Sequence, residues 1–124
     1  MNNLDYVILY VRDVPIATRF YSELLDEKPV ESSPGFSLFI LPSGLKLGLW
    51  LRDEVMPEVK AQPGACEIGM GLKSQDHVKS LYKDWTHKGI KILQEPTEMD
   101  FGYTFTALDP DGHRIRVSYI RPTN

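Results

Sequence analysis

A single cysteine, Cys66, means that the chain cannot close an intrachain disulfide, which agrees with a reducing compartment. Cys66 stands between Ala65 and Glu67 at the start of an expected strand with no basic neighbour, so it reads as a buried packing thiol and not as a nucleophile. No stretch approaches the ~18 consecutive apolar residues that a membrane span requires, and this excludes a transmembrane helix. The amino-terminal stretch Met1-Asn2-Asn3-Leu4-Asp5 lacks the basic region and apolar core of an export signal, so a cytoplasmic protein is expected. Positive charge is in short supply: 14 Lys and Arg face 17 Asp and Glu, giving a net charge of -3 without a basic cluster. That argues against a nucleic-acid partner, because phosphate binding needs a basic face. No GxSxG, HxH or HxxxH pattern is present. His77 and His87 fall on different faces of an expected helix and His113 in a polar turn, so all three read as solvated surface histidines.

What is present suffices for one domain. The chain has 124 residues, 42% of them hydrophobic and 25% charged, enough to build a core without disulfides or structural metal. Residues 4–11 alternate as a strand that is apolar on both faces. Asp13 can cap a helix whose apolar residues Ile16, Ala17, Phe20, Leu24 and Leu25 recur at helical spacing, with Pro15 tolerated in the first turn. Strands are expected over 28–31, 36–41 and 45–51, separated by Pro34-Gly35 and Pro42-Ser43-Gly44. Residues 52–64 are charged and contain Pro57, Pro63 and a terminal glycine, as an exposed linker would. Thereafter the order recurs: a strand over 67–72, a helix capped by Ser74 and stopped by Gly89, and strands over 90–93, 103–108 and 114–120.

The recurrence is visible in residues as well as in order. A shift of about sixty positions lays Phe20-Tyr21 on Leu81-Tyr82, and the turn Pro42-Ser43-Gly44 lies close to Pro110-Asp111-Gly112 in the pattern. The fold class is therefore α+β, with two repeated βαβββ modules: module one over 1–51, the linker over 52–64 and module two over 65–120.

Residues Leu4 to Asp13 running into Arg19-Phe20-Tyr21, together with Asp109-Pro110-Asp111-Gly112, resemble the vicinal-oxygen-chelate superfamily, which holds the glyoxalase, bleomycin-resistance and dioxygenase proteins. Leu49-Trp50, Glu67-Ile68-Gly69, Glu95-Pro96, Asp100-Phe101-Gly102, Thr104-Phe105 and Asp109 to Val117 are most similar to the phenazine-antibiotic resistance proteins within it. The resemblance covers nearly the whole chain. It implies a curved mixed sheet around a ligand cradle, and a homodimer.

The resemblance also places the superfamily's metal ligands, usually histidine and glutamate, at Tyr6, Gly48, Glu67 and Arg116. Only Glu67 is a carboxylate, and Arg116 would set a fixed positive charge where a cation belongs, so neither a metal nor another cofactor is expected. If these positions face the cradle, alternation adds Tyr10, Trp50, Gly69 and Ser118, and the same logic on the seventh strand adds Tyr103 and Phe105. Gly48, Gly69 and Gly71 would leave room for a planar aromatic small molecule between aromatic walls, unless the aromatics fill the cradle themselves. Glu67 and Arg116 could pair in place of the cation, with Arg116 also meeting the ligand. The function so implied is metal-free binding that sequesters a phenazine-like or other antibiotic, with no catalytic residue. A glyoxalase-like lyase or dioxygenase, metal-dependent or metal-free, is the alternative.

Overall fold

A computed structural model describes residues 2–122, so Met1 of the amino-terminal stretch read above lies outside it. It divides into two compact units, Met1–Ala61 and Gln62–Asn124. Each unit has the order strand, helix, three strands, which is the expected α+β repeat.

In the first unit β1 (Tyr6–Val11) leads into α1 (Val14–Leu25). Asp13 is extended and its Oδ1 accepts the Ile16 N–H at 2.9 Å, which satisfies one of the amides a helix start leaves open. The helix ends at Asp26 in the left-handed conformation, φ 52°. Its buried stripe is Val14, Ala17, Tyr21 and Leu24, whereas Ile16, expected inside, is half exposed. Strands β2 (Glu31–Ser32), β3 (Phe36–Ile40) and β4 (Lys46–Leu51) complete a sheet of order β1-β4-β3-β2, in which β1 and β4 run parallel. The strand expected over 28–31 is shorter and later. Pro29 has no N–H to donate, and the ladder begins only with the Val30 N–H, which reaches the Leu38 carbonyl at 2.8 Å. Leu9, Val11, Phe39, Leu47 and Leu49 form the core. The expected linker contains one 3₁₀ turn, Arg52–Glu54, and a buried Val55.

The second unit repeats the plan with β5 (Glu67–Gly71), α2 (Gln75–His87), β6 (Lys91–Met99), β7 (Gly102–Leu108) and β8 (Arg114–Ile120), in sheet order β5-β8-β7-β6. Ser74 caps α2 through the His77 N–H, and Gly89 turns the chain out of it with φ 80°. Val78 and Trp85 of α2 pack with Phe105, Ala107, Ile115 and Val117 as the buried core, the Trp85 and Phe105 rings meeting edge to face at 5.4 Å. Strand β6 runs six residues beyond the expected end at Leu93, through Pro96 to Met99. A proline fits there because β6 is the edge strand and its register shifts between Gln94 and Thr97. Among the described residues no helix is long and apolar enough to cross a membrane.

Candidate functional site

Each sheet has one face turned to its helix and one face free of it, and period-2 alternation decides which side chains the free face carries. In the first unit the register aligns Tyr6, Ile8 and Tyr10 with Lys46, Gly48 and Trp50, and these with Ile40, Leu38 and Phe36. The face is largely apolar and in part exposed: Tyr6 is 63% and Tyr10 39% accessible. Tyr6, Tyr10, Gly48 and Trp50 therefore share one surface, as alternation implied.

Gly48 does not leave the expected slot. A Cβ built there would lie 3.1 Å from Phe36 Cε1 and 3.4 Å from Ile8 Cγ1, so the ring of Phe36 covers the missing side chain. The same ring stands perpendicular to Trp50, with centroids 6.4 Å apart. Close packing, and not an open cleft, is what Gly48 makes possible.

The free face of the second unit is polar and its centre is Arg116. Nε and Nη2 donate to the two carboxylate oxygens of Glu67 at 2.8 and 2.9 Å, a bidentate fork. Nη1 donates to Gln94 Oε1 at 3.1 Å and to Thr104 Oγ1 at 3.3 Å. Arg114 adds a looser contact with Glu67, 3.6 Å from its Oε1. The Arg116 hydrogen bonds hold the Glu67 carboxyl below its ordinary range against a smaller opposing effect of burial, and Glu67 in turn raises the Arg116 guanidinium. The pairing of Glu67 with Arg116 agrees with the sequence. The free guanidinium that a ligand carboxylate would need does not, because four donor contacts are already made within the unit.

Ser118 lies on this face but is buried, its hydroxyl 2.7 Å from Thr104 Oγ1. Gly69 and Gly71 are open. The nearest neighbour of a Gly69 Cβ is the Arg116 carbonyl at 3.8 Å, and nothing lies within 4 Å at Gly71.

Tyr103 and Phe105 are on the other face, contrary to expectation. Register pairs Thr104 with Ser118 and Thr106 with Arg116, so the threonines share the free face and the aromatics turn to α2. Phe105 is fully buried against Tyr82 and Trp85, and Tyr103 lies under the Lys79 ammonium, 5.7 Å from its ring centroid. Two further readings change. Cys66 is exposed, not buried. His113 is buried, with Nδ1 2.8 Å from Asp109 Oδ2, and is no surface histidine.

The residues at the superfamily's ligand positions do not suit a cation in either unit. Gly48 has no donor and lies under a phenyl ring, Tyr6 offers a phenol, and both oxygens of Glu67 are engaged by Arg116, itself a donor only. Asp109, Asp111 and His113 bring potential ligand atoms within 4.8 Å of one another. The Asp109 carboxylate is, however, taken up by the turn: Oδ1 accepts the Asp111 and His113 N–H groups at 2.9 and 2.8 Å, and Oδ2 meets the His113 ring.

Comparison with known proteins matches residues 3–117 to the family described as Glyoxalase/Bleomycin resistance protein/Dioxygenase superfamily. A phenazine antibiotic resistance protein, EhpR of Enterobacter agglomerans, is 33% identical over 113 residues, which span 89% of this chain and 86% of that protein. A protein from Agrobacterium tumefaciens solved by NMR in solution is 45% identical, with TM-score 0.90 over 98% of this chain and 100% of that one. A glyoxalase-related enzyme from Fulvimarina pelagi shares the fold at 21% identity, with TM-score 0.83 over 96% of this chain and 88% of that one.

Proposed function

The chain belongs to the Glyoxalase/Bleomycin resistance protein/Dioxygenase superfamily, and on that premise we propose that it binds a planar aromatic small molecule, of the phenazine class, and sequesters it without a metal. The observation that carries this reading is the Glu67–Arg116 fork. It engages the carboxylate that a metal-using relative would offer to a cation, which supports binding over the Lewis-acid chemistry of lyases and dioxygenases at that position. The similarity to a phenazine antibiotic resistance protein supports the ligand class. Each unit, taken by itself, carries a surface suited to a flat ligand: the rings of Tyr6, Tyr10 and Trp50 in the first, a polar face open at Gly69 and Gly71 in the second. Protection of the cell then follows from burial of the toxic compound, with stoichiometric and not catalytic capacity, and the protein works as a homodimer in the cytoplasm.

Tryptophan fluorescence titration with phenazine tests this reading. Trp85 is buried against Phe105, so Trp50 is the indole that reports a stacked ligand. Saturable quenching is expected in the native protein. In Trp50→Ala both quenching and affinity should fall, the latter by about 2 kcal/mol as for aromatic anchors elsewhere. Native quenching that does not saturate, or unchanged affinity in Trp50→Ala, contradicts it.

A further inference from the structure

We infer that Gln94 selects ligands carrying a neutral hydrogen-bond acceptor on an aromatic ring, such as a ring nitrogen; this rests on the binding function proposed above. Gln94 Oε1 accepts two hydrogen bonds, from Arg116 Nη1 at 3.1 Å and from Thr106 Oγ1 at 3.1 Å. A guanidinium has no acceptor, so the oxygen of the amide must face Arg116, and the NH2 group is forced to the opposite side. Among the described residues that nitrogen meets only the Met99 thioether, at 3.6 Å, a weak acceptor. The side chain is thus pinned at one end while its donor end is nearly unused, on the same free face as Arg116 and the open glycines.

The backbone supports the same conclusion. The β6–β7 register shifts on both sides of Gln94, between Ile92 and Gln94 and again between Gln94 and Thr97. Such irregularities re-aim individual side chains and are frequent beside binding sites. The guanidinium next to the amide, Arg116, is itself engaged by Glu67, so the donor left over at this position is the uncharged amide N–H, which suits a neutral acceptor. Gln94 would be a specificity residue: it does not hold the aromatic rings, and its N–H distinguishes an aza-aromatic from its carbocyclic analogue. A pinned donor discriminates well because it cannot rotate to offer its oxygen instead.

The test compares phenazine-2-carboxylate with anthracene-2-carboxylate, which match in shape and charge and differ in the ring nitrogens, on native protein and on Glu and Met variants at position 94. Native protein should prefer the phenazine by up to about tenfold, as one hydrogen bond permits. Gln94→Glu keeps the acceptor that Arg116 and Thr106 use and removes the donor, so its fold should be intact and its preference abolished or reversed. Gln94→Met should bind both compounds alike. Equal native affinity for the two compounds, or a preference retained in Gln94→Glu, overturns the assignment to Gln94 while leaving sequestration standing. Failure of the native protein to bind either compound overturns both.

Discussion

Arg116 grips Glu67 through two parallel hydrogen bonds of 2.8 and 2.9 Å, across the parallel pair β5 and β8. The side chains are 23% and 33% accessible, so water reaches both and the pair lies between the buried and surface limits. Each of Glu67→Gln and Arg116→Met should destabilise the protein by about 1–2 kcal/mol, below the ~3–5 kcal/mol of a dry pair. The double variant should lose less than the sum, read from urea midpoints in a double-mutant cycle. The pH dependence follows from the lowered Glu67 pKa. Its stabilising contribution is fully present above the unfolded-state value near 4.5 and is lost as pH falls through the lower folded-state value. The stability gap between native protein and Glu67→Gln should therefore narrow below that pH. A constant gap, or additive losses in the cycle, would show that the two residues do not act together.

Phe36 covering Gly48 gives a second expectation. Gly48→Ala puts a methyl 3.1 Å from Phe36 Cε1, so the ring must give way, at about 1–2 kcal/mol. In a Phe36→Ala background the same methyl no longer meets the ring and keeps an ordinary contact with Ile8 Cγ1 at 3.4 Å, so the substitution should be neutral or stabilising by up to ~0.5 kcal/mol because alanine loses less backbone entropy than glycine. Denaturant unfolding of the four proteins decides it, and an equal cost of Gly48→Ala in both backgrounds contradicts the packing described.

Two glycines of the second unit should behave oppositely. A Cβ at Gly102 would overlap the Tyr119 carbonyl oxygen, which is backbone and cannot step aside, so Gly102→Ala should cost about 3 kcal/mol or more. At Gly71 nothing lies within 4 Å. Gly71→Ala should leave stability within ~0.5 kcal/mol of native yet weaken binding of a ring that lies on the glycine floor. Thermal melts paired with a phenazine titration separate the two effects, and full affinity in Gly71→Ala would move the ligand away from β5.

Much of the scaffold was legible because its signals are local. Asp13 and Ser74 are caps at the places where apolar periodicity changes, and the recurrence of the whole order, strand to helix to three strands, exposes the duplication. The errors arose where tertiary partners decide. Whether Tyr103 and Phe105 or Thr104 and Thr106 share the face of Arg116 depends on a one-residue parity set by the turn between β7 and β8, which alternation within either strand cannot fix. Pro96 signals a strand end unless the strand is known to be an edge. His113 resembles a surface residue because its neighbours are polar, whereas one of them, the buried Asp109, binds both its amide and its ring. Gly48 looked like an empty place because Phe36, on the preceding strand, is brought over it only by the β3–β4 register.

The most direct measurement of sequestration without metal is calorimetric titration of phenazine into protein dialysed against EDTA, with recovery of the compound afterwards by chromatography and mass spectrometry. Saturable binding equal to that of untreated protein, and recovery of the phenazine unchanged, is the expected result. Binding that disappears on dialysis and returns with added zinc, iron or manganese, or a chemically altered phenazine in the recovered material, would contradict it.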